Sequence, residues 1–105
     1  MAVLVNVHVT GCKKPEYDQL RKIIQWEQNV PKGLILHVAS VEQDGTMQAT
    51  DLWDTADDFN NFVKSRLMPG FQKLNLPQPT VQIYPIHNVN VTDRIEEFNM
   101  IGTVG

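Results

Sequence analysis

Hydrophobic residues recur along this chain first with period two, then with a period near 3.6, and the order of these stretches predicts its architecture. Between residues 2 and 10, Val3, Val5, Val7 and Val9 take one parity and Leu4, Asn6 and His8 the other, as in a β-branched strand. Pro15 suits the first turn of a helix, and Tyr17, Leu20, Ile23, Ile24 and Glu27 follow at helical spacing. This predicts a helix over 15–28 that stops before Pro31-Lys32-Gly33. From Leu34 to Val41 both parities are largely apolar, which predicts a strand buried on both faces.

Asp44-Gly45 is a hairpin signal, so the run from Thr46 to Trp53 should return antiparallel beside its predecessor. Thr55-Ala56-Asp57-Asp58 has the form of a capping box and opens a second helix carrying Phe59, Phe62, Val63 and Leu67. Pro69-Gly70 should end or kink that helix, with a short extra turn over 71–74. Val81 to His87 alternates again as a last strand, and Thr92 is placed to cap a short helix from Asp93 to Phe98.

Strand, helix, strand, strand, helix, strand is the ferredoxin-like β-α-β-β-α-β order, an α+β fold with a four-stranded antiparallel sheet and two helices on one face. Residues 1–90 form this domain, and residues 91–105 form a C-terminal arm suited to packing on a partner subunit. Two helices cover only one face of the sheet, yet several strands are apolar on both parities. An identical sheet from a second copy is the simplest cover, so the sequence predicts a homodimer.

Composition narrows the function classes. At 105 residues the chain has room for one domain, and its net charge of −3, with nine Lys and Arg residues scattered along it, argues against nucleic acid as a partner. The stretch from Gln48 to Trp53 also lacks the basic, Gly-aromatic pattern of an RNA-recognition strand. No segment approaches the roughly 18 apolar residues of a membrane span, and the apolar start carries no basic leader, so a cytoplasmic protein without a membrane partner is expected. Cys12 has no second cysteine to pair with, and the three histidines show no ligand spacing, so no metal site is predicted. G-x-S-x-G and glycine-rich phosphate loops are absent from the sequence, which removes support for classical hydrolase and nucleotide chemistry.

What remains is a polar set on apolar strands: Asn6 and His8 on the first, His37 on the second, Asp51 and Trp53 at the end of the third, and His87 closing the fourth. Buried polar groups are costly unless hydrogen-bonded or facing a wet cavity, so these residues mark where a site would lie. With the first and third strands adjacent, Asn6 or His8 is expected close to Asp51 and Trp53, beneath the second helix. The bland alternative is that the histidines are satisfied structural residues and Trp53 fills the core.

Several segments resemble the antibiotic biosynthesis monooxygenase type of small protein within the dimeric α+β barrel superfamily. They are Glu16-Tyr17-Asp18, Gly33 to His37, Asp51 to Phe59, Arg66 to Pro69 and Pro85 to Asn88, and the resemblance spans roughly residues 2 to 90. It implies a dimer with a pocket between sheet and helices in each subunit, where a small aromatic or polyketide-like compound reacts with molecular oxygen and no separate cofactor. By that resemblance Asn6 and Trp53 match the residues that line the pocket, with Asp51, Phe59 and Phe62 joining them as substrate-binding residues. His37 or His8 is the candidate base, since imidazole titrates near neutral pH. Haem-degrading relatives ligate iron through a histidine about ten residues past the tryptophan, where this chain has Val63, so that mode of haem ligation is not implied.

Three functions compete: a cofactor-independent monooxygenase, a non-catalytic ligand-binding or stress-related dimer of the same fold, and an isomerase or decarboxylase using His37 or His8 without oxygen. A cavity above roughly 300 Å³ reaching Asn6 and Trp53 would favour a ligand site, and side chains filling that space would favour the structural role.

Overall fold

A computed structural model describes residues 1–98. Its order is β1 (Val3–His8), α1 (Lys14–Ile23), β2 (Leu34–Val41), β3 (Met47–Trp53), α2 (Ala56–Phe62), a π-turn (Val63–Leu67), α3 (Met68–Leu74), β4 (Thr80–Pro85) and a 3₁₀ turn (Asp93–Phe98). The sheet runs β2-β3-β1-β4, antiparallel throughout, which is the ferredoxin-like α+β arrangement the sequence predicts.

Register decides which side chains face the helices. Val3, Val5 and Val7 stand opposite Trp53, Asp51 and Ala49, and His37 stands opposite Asp51, so all of these share the helix-side face. Leu4, Asn6 and His8 pair with Leu52, Thr50 and Gln48 on the other face. The core lies between the helix-side face and the helices, with Val5, Trp53, Phe59 and Phe71 fully enclosed. The hairpin between β2 and β3 turns at Asp44-Gly45 as expected, with Gly45 in the left-handed region.

Three local features depart from the sequence expectation. The first helix ends at Ile23 instead of running to residue 28. Gln25 takes a left-handed conformation (φ 56°), and Arg66 donates through Nη1 to the carbonyl of Ile24 at 3.0 Å, satisfying an acceptor that a longer helix would have used. Pro69 neither ends nor sharply breaks its helix: the preceding turn widens to a π-turn, so the amide of Met68 reaches back to the carbonyl of Val63 and the helix resumes through Leu74. The second strand is an edge strand among the described residues, with Ile35, Val38 and Val41 roughly half exposed, so it is not buried on both faces there.

Gly70 explains how tightly α1 and α3 cross. A Cβ there would come within 2.9 Å of Leu20 Cδ1 and 3.0 Å of Ile24. The segment from Asp93 to Phe98 is a 3₁₀ turn with no buried residue, and the remainder of the predicted arm, residues 99–105, lies outside the described residues.

Candidate functional site

Three strand residues on the helix side form one hydrogen-bonded line. His37 on β2 bonds through Nδ1 to Asp51 Oδ1 at 2.7 Å, and Asp51 Oδ2 accepts from Trp53 Nε1 at 3.1 Å. On its other side, His37 Nε2 lies 2.7 Å from the hydroxyl of Tyr17 on α1. With the Asp51 carboxylate accepting from Nδ1–H, Nε2 carries the lone pair, and Tyr17 donates to it. Asp51 is buried, and both its oxygens have donors. Burial, followed by the nearby carboxylates of Glu27 and Asp51, pushes the Tyr17 phenol up from its ordinary 10.0, with Arg21 opposing, so the hydroxyl keeps its proton.

Trp26 closes the site from above. Its ring lies 4.2 Å from the His37 ring, tilted by 60°, and meets Phe62 edge-on at 5.0 Å. In a helix continued past Ile23, residue 26 would sit about 180° around from Tyr17, because nine residues at 3.6 per turn make two and a half turns. The left-handed turn at Gln25 brings Trp26 back to the same site. The buried carboxylate of Glu27 pairs with Arg21, which ties this turn to α1.

Around the line lies an apolar cavity of about 60 Å³, partly open to solvent. Tyr17, Trp26, His37, Asp51, Phe59 and Phe62 are among its walls, together with Val7, Cys12 and Met47 from the sheet side. Burial raises the Cys12 thiol above its ordinary 9.0, with Glu16 adding to the effect, which favours the protonated, weakly nucleophilic form. Asp51, His37 and the ring above them are arranged to accept a proton at Nε2 and hold the resulting imidazolium beside a carboxylate.

The residues nominated from sequence divide between the two faces. His37, Asp51, Phe59 and Phe62 meet at the cavity. Trp53 is enclosed beneath it and acts as a donor that fixes Asp51, not as an exposed pocket wall. Asn6 and His8 do not lie under the second helix: register turns them to the opposite face, where Asn6 accepts from the Thr50 hydroxyl at 3.0 Å and His8 Nε2 sits 3.1 Å from Glu42. His87 lies exposed past the end of β4. At about 60 Å³ the cavity is smaller than the roughly 300 Å³ of a typical ligand site and reaches neither Asn6 nor Trp53.

Tyr17 and Trp26 were missed from sequence. Tyr17 was legible as one member of an apolar stripe, but nothing local tells a core tyrosine from one aimed at a histidine twenty residues away. Trp26 fell off the predicted stripe because the helix was carried too far. Among the described residues, no three His, Cys, Asp or Glu side chains come together as a metal site would need.

No known family model matches the chain, and no curated protein matches it by sequence. Solved structures do match by shape. SnoaB, a cofactor-independent oxygenase from Streptomyces nogalater, superposes with a TM-score of 0.61 at 14% identity, covering 84% of this chain and 94% of that one. A candidate antibiotic biosynthesis monooxygenase from Deinococcus radiodurans gives 0.57 at 15% identity, covering 88% and 99%. The hydroxynitrile lyase of Passiflora edulis gives 0.58 at 16% identity, covering 86% and 97%. The chain therefore has the fold of the antibiotic biosynthesis monooxygenase type, a fold that also carries lyase chemistry.

Proposed function

We propose that this protein is a cofactor-independent monooxygenase acting on a small electron-rich phenol, with the substrate's proton ending on His37. The observation that carries this reading is the Asp51–His37–Tyr17 line standing against an apolar cavity partly open to solvent. A phenolate donates electrons to oxygen far more readily than a phenol, so a site that holds a base beside a ring-shaped apolar wall supplies the step that matters. A phenol with a free para carbon reacts with dioxygen to give the para-quinone and water. Carbon supplies all four electrons, one oxygen atom stays on the ring and the other leaves as water, so no external reductant is needed. The likeness in fold to SnoaB supports oxygen as the co-substrate.

Cavity size bears on the choice of substrate. About 60 Å³ is below the roughly 300 Å³ of typical ligand sites, which favours a single ring reaching in from the open side over a fused polyketide. The test is oxygen uptake with 2,6-dimethoxyphenol beside anthrone, under labelled dioxygen. Uptake with one labelled oxygen in the quinone is expected for the single ring. Uptake with neither compound contradicts the reading.

The reading includes a cytoplasmic homodimer. Support for the dimer comes from the sheet face opposite the helices, where among the described residues Val38 and Tyr84 are 47% and 50% exposed beside Leu4, Leu36 and Leu52. A monomer by light scattering at micromolar concentration contradicts it. A second reading, a non-catalytic dimer of the same fold, is favoured by two observations: the cavity falls well short of roughly 300 Å³ and reaches neither Asn6 nor Trp53, and among the described residues no buried side-chain polar atom lacks a partner, as in a purely structural network.

A further inference from the structure

Resting on the phenol oxygenase reading above, we propose that Tyr17, not His37, is the group that touches the substrate, and that it passes the substrate's proton to His37. The single lone pair of His37 Nε2 is already occupied by the Tyr17 hydroxyl at 2.7 Å, and the imidazole is further screened by Trp26 at 4.2 Å. A substrate hydroxyl has no free acceptor on that ring unless Tyr17 leaves. Tyr17 is fixed on α1, one turn before Leu20, which is buried against the core. Its phenolic oxygen, however, accepts as well as donates, and Tyr17 is one of the residues that line the cavity.

A phenol entering the cavity therefore donates to Tyr17 Oη while Tyr17 still donates to His37 Nε2. The two protons move together: the substrate O–H bond breaks as a bond forms to Oη, and the original Tyr17 O–H bond breaks as a bond forms to Nε2. The products are a substrate phenolate, a neutral tyrosine and an imidazolium facing the Asp51 carboxylate. No electrons change hands, and free tyrosinate never accumulates. Charged groups facing Tyr17 come from three elements. Arg21 and Asp18 lie on its own helix, Glu27 on the turn that follows, and Asp51 on β3. Arg21 is paired with Glu27 and lies 3.6 Å from Asp18, which leaves Asp51 as the carboxylate that governs where the proton rests.

The probe is 4-nitrophenol, whose para position is blocked, so it binds without being oxidised, and whose absorbance reports its ionisation. Bound to wild type, it should ionise at lower pH than in free solution. In Tyr17→Phe, at a pH where the bound probe is mostly neutral, its affinity should change by less than about threefold, while its ratio of ionised to neutral form falls about tenfold, one pKa unit. His37→Gln should lose the ionisation similarly. If Tyr17→Phe instead keeps or raises the ionised fraction, Tyr17 is only a plug over His37, and the inference fails while the oxygenase reading stands. If wild type neither binds nor ionises the probe, both fall. Wild type alone gives a check free of any folding defect: oxygen uptake in mixtures of light and heavy water should curve downward with deuterium content, as two moving protons require, and a straight line overturns the relay.

Discussion

On the helix side of the sheet the polar residues are enclosed and satisfy one another, whereas on the opposite side they are interspersed with apolar side chains that the described residues leave partly exposed. Asp51 takes donors from His37 and Trp53 within a shell of Phe59, Phe62 and Trp26. Asn6 and Thr50 bond each other on the outer face, between Leu4, Val38 and Tyr84. Low dielectric makes a hydrogen bond more consequential on the inner side, both when made and when broken. The same residue types therefore have different energetic weight one parity apart, and chemistry is expected where burial makes a charge hard to hold without a fixed partner.

The largest effect should come from removing the shared acceptor of the inner face. Asp51→Ala strands Trp53 Nε1 and His37 Nδ1 in a buried setting, and should lower the unfolding free energy by about 3 kcal/mol in urea titration. Next comes Gly33→Ala, in the loop that leads into β2. Gly33 is left-handed (φ 87°), and a Cβ there would lie 2.3 Å from Asp58 Oδ2 and 2.6 Å from its Cβ, so a loss of about 2 kcal/mol is expected. Its carbonyl also accepts from the amide of Asp54 at 2.7 Å, which ties the start of β2 to the end of β3.

Much of this was readable in advance. The alternation of Val3, Val5 and Val7 against Leu4, Asn6 and His8 predicts which parity is buried, and the hairpin at Asp44-Gly45 predicts the β2–β3 pairing. The site was only half legible, because parity alone does not say how β1 and β3 are aligned. Only the register that sets Val5 opposite Asp51 separates Asn6 from Trp53. Trp26 was hidden for a different reason: its position depends on a left-handed Gln25, a conformation that glutamine's local preferences do not announce.

A smaller effect is expected at high pH. The folded Tyr17 resists ionisation more than the unfolded chain does, so its contribution is fully present below pH 10 and is lost as pH rises beyond that value. The melting temperature of wild type should fall above pH 10, and Tyr17→Phe should flatten that fall; identical slopes would contradict the burial of the phenol. Smallest of all is Asn6→Ala, which removes one neutral side-chain hydrogen bond and should cost about 0.5 kcal/mol in urea titration. A loss as large as that of Asp51→Ala would show that the outer face is covered as tightly as the inner one.

Oxygen uptake with 2,6-dimethoxyphenol, comparing wild type with His37→Gln and Asn6→Ala, weighs the two faces directly. The account predicts uptake abolished in His37→Gln and retained in Asn6→Ala. Uptake retained in His37→Gln and lost in Asn6→Ala would place the chemistry on the outer face and contradict it.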